Sequence, residues 1–250
     1  MTKSEIRESL RKWEDHHSNM LRDLTVDYSE SESEKLIRRK KLERDPEAWF
    51  KYYFPKYATH EPAPFHKKAT KRVLENKRWW DMRNWARELA KSTRTMMEVM
   101  YMMLATEEVS NTLMVANNEK DAVRLLTPYK INLEKNKRII HDYGKQRGFK
   151  QWKAEEFITR TGASFRAIGA GQSPRGTRAE EKRVDCIIID DIDTDEECRN
   201  EMRIRQKFEW IQDALLPTVS LSGNYRVISC GNIIAKVCTL TLCAKLANHV

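Results

Sequence analysis

The sequence has 250 residues, and 46 Lys and Arg outweigh 37 Asp and Glu for a formal charge of +9. That length holds one sizeable core plus a small appendage, and the charge favours a polyanionic partner such as nucleic acid, although a solvated basic surface carries the same balance. A polar N-terminus and the lack of any run near the roughly 18 apolar residues of a membrane span speak against a signal peptide and a membrane span, and five cysteines without a C-x-x-C pair speak against zinc or a disulfide framework; the expectation is a soluble, intracellular protein.

Residues 1–47 are highly charged, with Ile6, Leu10, Trp13 and Leu21 at helical spacing, a polar stretch over 29–33 and a basic run over 35–44. This predicts a loosely attached helical arm. Aromatics and prolines follow, with Trp49, Phe50, Tyr52, Tyr53, Phe54 and Tyr57 among Pro55, Pro62 and Pro64, a composition suited to an ordered entry segment packed on a core. A boundary near residue 58 divides this arm and entry segment, 1–58, from a main domain over 59–250.

In the main domain short apolar runs alternate with longer helical patterns, which predicts βαβ units and an α/β fold with a mainly parallel central sheet flanked by helices. Strands are expected at 79–85, 112–116, 164–169, 186–190 and 226–230. Helices are expected at 65–76, 91–106, 119–137 with a break at Pro128, and 202–215 ahead of Pro217. Met96, Met97, Met100 and Met103 recur at helical spacing and read as core filling. Asp81 and Arg83 are unusual in a strand that such a sheet buries on both faces.

Four segments carry candidate chemistry. In the first, Lys91-Ser92-Thr93 opens a helix directly after a strand, the context in which a phosphate-binding loop sets a Lys on the β/γ-phosphates and a hydroxyl on Mg²⁺. The two glycines of the general pattern are replaced by Trp85 and Ala90, so a chance Lys-Ser at a helix start is the plainer alternative. In the second, Cys186-Ile187-Ile188-Ile189-Asp190-Asp191 is a β-branched run ending in two carboxylates, as expected where a buried parallel strand delivers acids to the ligand-binding edge of a sheet. There the first acid organises Mg²⁺ and the second orients the attacking water; a strand running into an acidic surface loop, with Asp193 and Asp195 beyond, is the alternative.

The third segment, Arg226-Val227-Ile228-Ser229-Cys230-Gly231-Asn232, ends a strand in small and polar residues that suit a γ-phosphate sensor or an ordinary turn. The fourth, Ser173-Pro174-Arg175-Gly176-Thr177-Arg178, is a basic loop able to meet phosphate charge or DNA, or simply to be solvated.

Taken in order, Trp85-Ala86-Arg87-Glu88-Leu89-Ala90-Lys91-Ser92, then Ser164–Gly169 running into Ser173-Pro174-Arg175-Gly176, then Ile187-Ile188-Ile189-Asp190-Asp191, the sequence resembles the large terminase subunit of tailed bacteriophages over about residues 48–240. Members often carry an Arg-x-x-Ala-Lys-Ser or Thr form, which accounts for the missing glycines. The resemblance implies a P-loop ATPase fold in which Arg87, Glu88, Leu89, Ala90, Lys91, Ser92 and Thr93 hold ATP, Ser92 and Asp190 hold Mg²⁺, and Lys91, Asp191 and Arg87 act in catalysis. It also implies that Phe65 and His66 help hold adenine, His66 being equally readable as a surface residue, and that Asn232 lies in the segment coupling hydrolysis to movement.

Asp191 stands where many relatives have a longer Glu, so Asp193 is a second candidate for the base, and Arg175 and Arg178 are alternatives to Arg87. Implied partners are double-stranded DNA, further copies of the chain in a ring on a portal, and the small terminase subunit, in the cytoplasm of an infected bacterium. Relatives usually continue into a nuclease domain, which is not expected within this sequence. Two other readings remain open: another P-loop DNA-dependent ATPase of helicase type, for which a second motor domain finds no room, and a non-catalytic basic DNA-binding scaffold.

Overall fold

Helix capping organises the first part of the computed structural model, which describes residues 3–174, 183–220 and 223–250. Helix α1 (Lys3–Met20) precedes α2 (Glu32–Glu43), which starts in a capping box: Glu34 N donates to Ser31 Oγ and Ser31 N donates to Glu34 Oε2. In α3 (Pro46–Tyr53) the Asp45 carboxylate accepts the Glu47 and Ala48 amides, and Pro46 occupies a first-turn position where an N–H has no helical partner. The expected loose attachment of this region does not hold. Leu21 and Leu24 pack with Ile131, Arg38 makes paired hydrogen bonds to both Glu30 and Asp142, and α3 delivers Trp49, Phe50 and Tyr53 into the main core.

The chain then runs through α4 (Pro64–Glu75), β1 (Arg78–Arg83), α5 (Lys91–Leu104), β2 (Asn111–Ala116), α6 (Glu119–Lys135) and α7 (Lys137–Tyr143). It continues through β3 (Arg147–Trp152), β4 (Glu156–Thr159), β5 (Ser164–Gly169), β6 (Cys186–Asp190), α8 (Glu201–Trp210), β7 (Tyr225–Cys230) and α9 (Thr239–Cys243). Among the described residues the strands form one seven-stranded sheet in the order β1-β7-β6-β2-β5-β4-β3. The first five in that order are parallel, whereas β4 and β3 join antiparallel at one edge.

The sheet is therefore mixed, and the β3–β4 hairpin is the part that the apolar pattern missed. Arg147, Gln151 and Glu156 interrupt any apolar run there, as is usual for edge strands with a solvated face. Strand β6 shows the opposite case. Ile188 belongs to the core on one face of the sheet with Met96, Met100 and Leu126, while Ile187 and Ile189 belong to the core on the other with Ile211, Leu215 and Leu240. Period-two alternation in an all-apolar strand thus fills two cores at once, with helices on both sides.

Helix α6 is not broken at Pro128, contrary to expectation. Proline removes the N–H that would bond the carbonyl four residues earlier; here that carbonyl, Arg124 O, accepts from Trp13 Nε1 of α1 at 3.1 Å. The helix expected over 202–215 is α-helical only to Trp210 and continues as a π-helical turn over Ile211–Leu215.

The polar residues of β1 are satisfied by one another. Arg83, fully buried, donates to Asp81 Oδ2 at 3.0 Å, Thr95 Oγ1 at 2.9 Å and Glu98 Oε2 at 2.6 Å. Arg72 Nε reaches Asp81 Oδ1 at 3.1 Å, and Thr70 Oγ1 donates to Glu98 Oε1 at 2.5 Å. A buried charge is tolerable only when paired and hydrogen-bonded in this way. The outer edge of β1 is covered by residues 248–249, with Met82 N donating to His249 O and Asn248 N to Trp80 O. Among the described residues no helix is long and apolar enough to cross a membrane.

Candidate functional site

The parallel strands β1, β7, β6 and β2 end on one side of the sheet, where ligands of open α/β sheets bind. A cleft of about 660 Å³ lies there, lined by Arg87, Glu88, Ala90, Lys91, Ser92, Thr93, Asp190, Asp191 and Asn232 together with Asn117 and Asp121. Segments far apart in the sequence therefore meet in one place. Leu89, Phe65 and His66 are not part of this lining; Phe65 and His66 pack edge-on to Trp85, and His66 Nε2 contacts Leu89 O at 3.0 Å. His66 and Leu89 line a second cavity of about 650 Å³ that shares Glu88 and Ala90 with the first.

The loop between β1 and α5 makes a turn normally left to glycine. Glu88 and Ala90 adopt φ of +66° and +57°, conformations that cost an L-residue roughly 1–2 kcal/mol. Ala90 occupies the position of the absent second glycine, and its small side chain is the least obstructive substitute. Ala90 makes no side-chain cap at the start of α5, and an uncapped helix start suits an anion. Lys91 curls back, Nζ donating to Trp85 O at 2.7 Å, Ala86 O at 3.3 Å and Asn232 Oδ1 at 3.3 Å. The helix behind it is anchored to the ionic network, because Thr95 Oγ1 both donates to Lys91 O and accepts from Arg83.

Opposite Lys91, Ser92 Oγ donates to Asp190 Oδ2 at 2.5 Å. Burial pushes the Asp190 carboxyl up to about 7; the Ser92 hydrogen bond opposes this, the neighbouring Asp191 charge adds to it, and Lys91 lowers it. Asp191 is exposed and holds a φ of +43°, a strained conformation for a non-glycine residue, while its N–H continues the ladder to Cys230 O. Asp193 also lines the cleft, but both its oxygens are committed, accepting the Thr239 and Leu240 amides, each at 3.0 Å, at the start of α9. Just after β7, Gly231 packs closely on α9, and a Cβ there would lie 2.3 Å from Leu240 Cδ1, so that the Leu240 side chain would have to shift.

Arg175 and Arg178 lie outside the described residues. Asn117 and Asp121 were not singled out in the sequence, although Asn117 follows the apolar run of β2 much as Asp190 ends that of β6. Extending the strand-end argument to β2 would have found it.

Comparison with solved structures finds nine similar chains, one of them a phage protein. The crystal structure of the HK97 bacteriophage large terminase is 11% identical, with a TM-score of 0.45, over 74% of this chain and 36% of that one. The chain thus spans little more than a third of that protein's length. No protein-family model matches the chain, and no curated protein does.

Proposed function

We propose that the cleft binds and hydrolyses ATP with Mg²⁺, and that the chain is the motor domain of a DNA-packaging machine of the large-terminase type. The observation that carries this reading is the meeting of Lys91, Ser92, Asp190 and Asp191 at one sheet edge, with Ser92 and Asp190 in direct contact at 2.5 Å. A hydroxyl and a carboxylate are oxygen donors of the kind a hard divalent cation takes, and they converge beside an open helix start suited to phosphate. The residues present therefore fit both groups.

On this reading the 84–90 loop and the first-turn amides of α5 cradle the phosphates, with Lys91 compensating their charge. Ser92 and Asp190 would hold Mg²⁺, which when bound would supply positive charge to the phosphate oxygens. Asp191 accepts the proton of the attacking water, its carboxylate being exposed while that of Asp193 is committed to α9. Arg87, on the loop itself, stabilises the charge on the transferred phosphoryl group. Phe65 and His66, which pack on Trp85 of that loop, take the base side. Asn232, in contact with Lys91, connects the nucleotide to the segment after β7.

The partner is double-stranded DNA held through its phosphates, in keeping with the net charge of +9. Assembly as a ring on a portal with a small terminase subunit, in the cytoplasm of the infected host, belongs to the same proposal. ATP turnover measured with and without DNA over a range of protein concentrations tests it. The expected result is Mg²⁺-dependent turnover stimulated by DNA of any sequence and rising with protein concentration. DNA binding without ATP turnover under any of these conditions would overturn it in favour of a basic scaffold.

A further inference from the structure

Lys207 lies on α8, outside every segment that suggested the site. Its side chain is 9% exposed, and Nζ donates to Ile192 O at 2.7 Å, Glu197 Oε2 at 2.8 Å and Asn117 Oδ1 at 2.9 Å. An ammonium has three N–H donors, and all three are used. The acceptors come from three places: the loop after β6, the 3₁₀ turn Glu197–Arg199, and the residue that follows β2 into the cleft. Glu197 Oε2 also accepts from Thr194 Oγ1 at 2.9 Å, so the acceptor is itself fixed.

Ile192 is the residue between Asp191 and Asp193. On its far side the loop is held by Asp193, which accepts two amides of α9; on its near side Asp191 holds a positive φ that surrounding structure must enforce. Lys207 grips the one carbonyl between these two points. Lys207 thereby ties the residue after Asp191 to both Asn117 and α8, a clamp of the kind that keeps a strained segment in one direction.

We infer that Lys207 is a positioning residue for hydrolysis, fixing the loop after β6 so that the Asp191 carboxylate faces the attacking water. The inference rests on the ATPase reading. The test uses the full chain carrying K207M, an apolar side chain of similar length, or K207R, with kcat and KM for Mg-ATP, affinity for a fluorescent ATP analogue and thermal unfolding all measured.

K207M is expected to lower kcat by about 10- to 100-fold, the scale on which a small misplacement acts, while KM and analogue affinity stay within about twofold; K207R, able to reach some of the same acceptors, regains part of kcat. Should K207M fail to fold, E197Q weakens the same clamp from its more exposed partner and is expected to lower kcat by less, again without loss of affinity. Unchanged kcat in K207M, or parallel loss of kcat and affinity with K207R no better than K207M, would overturn the inference while leaving the ATPase reading intact. A wild-type chain that binds but never hydrolyses ATP would overturn both.

Discussion

Ser92 Oγ and Asp190 Oδ2 lie 2.5 Å apart although 98 positions separate them in the chain. Strand β6 brings the acid and α5 brings the hydroxyl, and the sheet places the two ends side by side. Asp190→Asn preserves shape and burial while removing charge from the proposed Mg²⁺ ligand. Turnover by this variant should require at least about tenfold more Mg²⁺, a loss on the scale of other metal-site changes. Its thermal stability at neutral pH should not fall, because burial penalises the charged carboxylate and a neutral amide escapes that penalty. A normal Mg²⁺ titration would remove Asp190 from the metal site.

Asp191 and Asp193 should separate cleanly. Asp191→Asn is expected to keep nucleotide binding and to reduce hydrolysis by about 10²–10⁴-fold, the usual contribution of a positioned base. Asp193→Ala removes a cap of α9, which should cost about 0.5–2 kcal/mol of stability and leave more activity than Asp191→Asn. Denaturant titration and phosphate release measure the two effects. Full hydrolysis in Asp191→Asn together with none in Asp193→Ala would reverse the assignment.

Trp13 and Pro128 form a third testable pair. Trp13→Phe leaves Arg124 O without its donor, at a cost of about 1–3 kcal/mol. Pro128→Ala restores a backbone N–H able to reach the same carbonyl. In that background Trp13→Phe should therefore cost measurably less. Equal losses in both backgrounds, by chemical denaturation, would show that Trp13 acts through packing alone.

His17 gives a pH dependence of known sign. Burial, with the nearby His16 charge, pulls its pKa down from 6.5 to about 4, and its ring stacks on Tyr57 with Nδ1 in contact with the phenol oxygen at 2.9 Å. A folded-state value below the unfolded one means that protonation favours unfolding: the contribution is complete above pH 6.5 and lost as pH falls towards 4. At most about 3 kcal/mol is at stake. His17→Phe should flatten the fall in stability over that interval, and an unchanged pH profile would contradict it.

The parallel half of the fold was legible in the sequence because its strands are apolar on both faces and end abruptly: β6 is four apolar residues and then Asp190. What escaped was decided by tertiary contacts. Pro128 reads as a break in isolation, whereas in the fold Trp13, 115 positions away by number, supplies the donor that Arg124 O would otherwise lack. Asp81 and Arg83 contradict a buried strand until Glu98 and Thr95 are seen beside them. The hairpin β3–β4 carries polar residues because it sits at the sheet edge. In the candidate site, residue types and strand ends pointed to Lys91 and Asp190, whereas the commitment of Asp193 to α9 and the grip of Lys207 on Ile192 have no local signature.

The central claim is that Lys91 serves phosphate charge and not the core, since its Nζ contacts are two loop carbonyls and Asn232 at the cleft. Phosphate release by Lys91→Ala, compared with the wild-type chain at equal protein and Mg-ATP concentration, tests this most directly. Loss of ATP turnover is expected, with the thermal unfolding transition essentially unchanged. Turnover near the wild-type rate in a folded Lys91→Ala protein would contradict it.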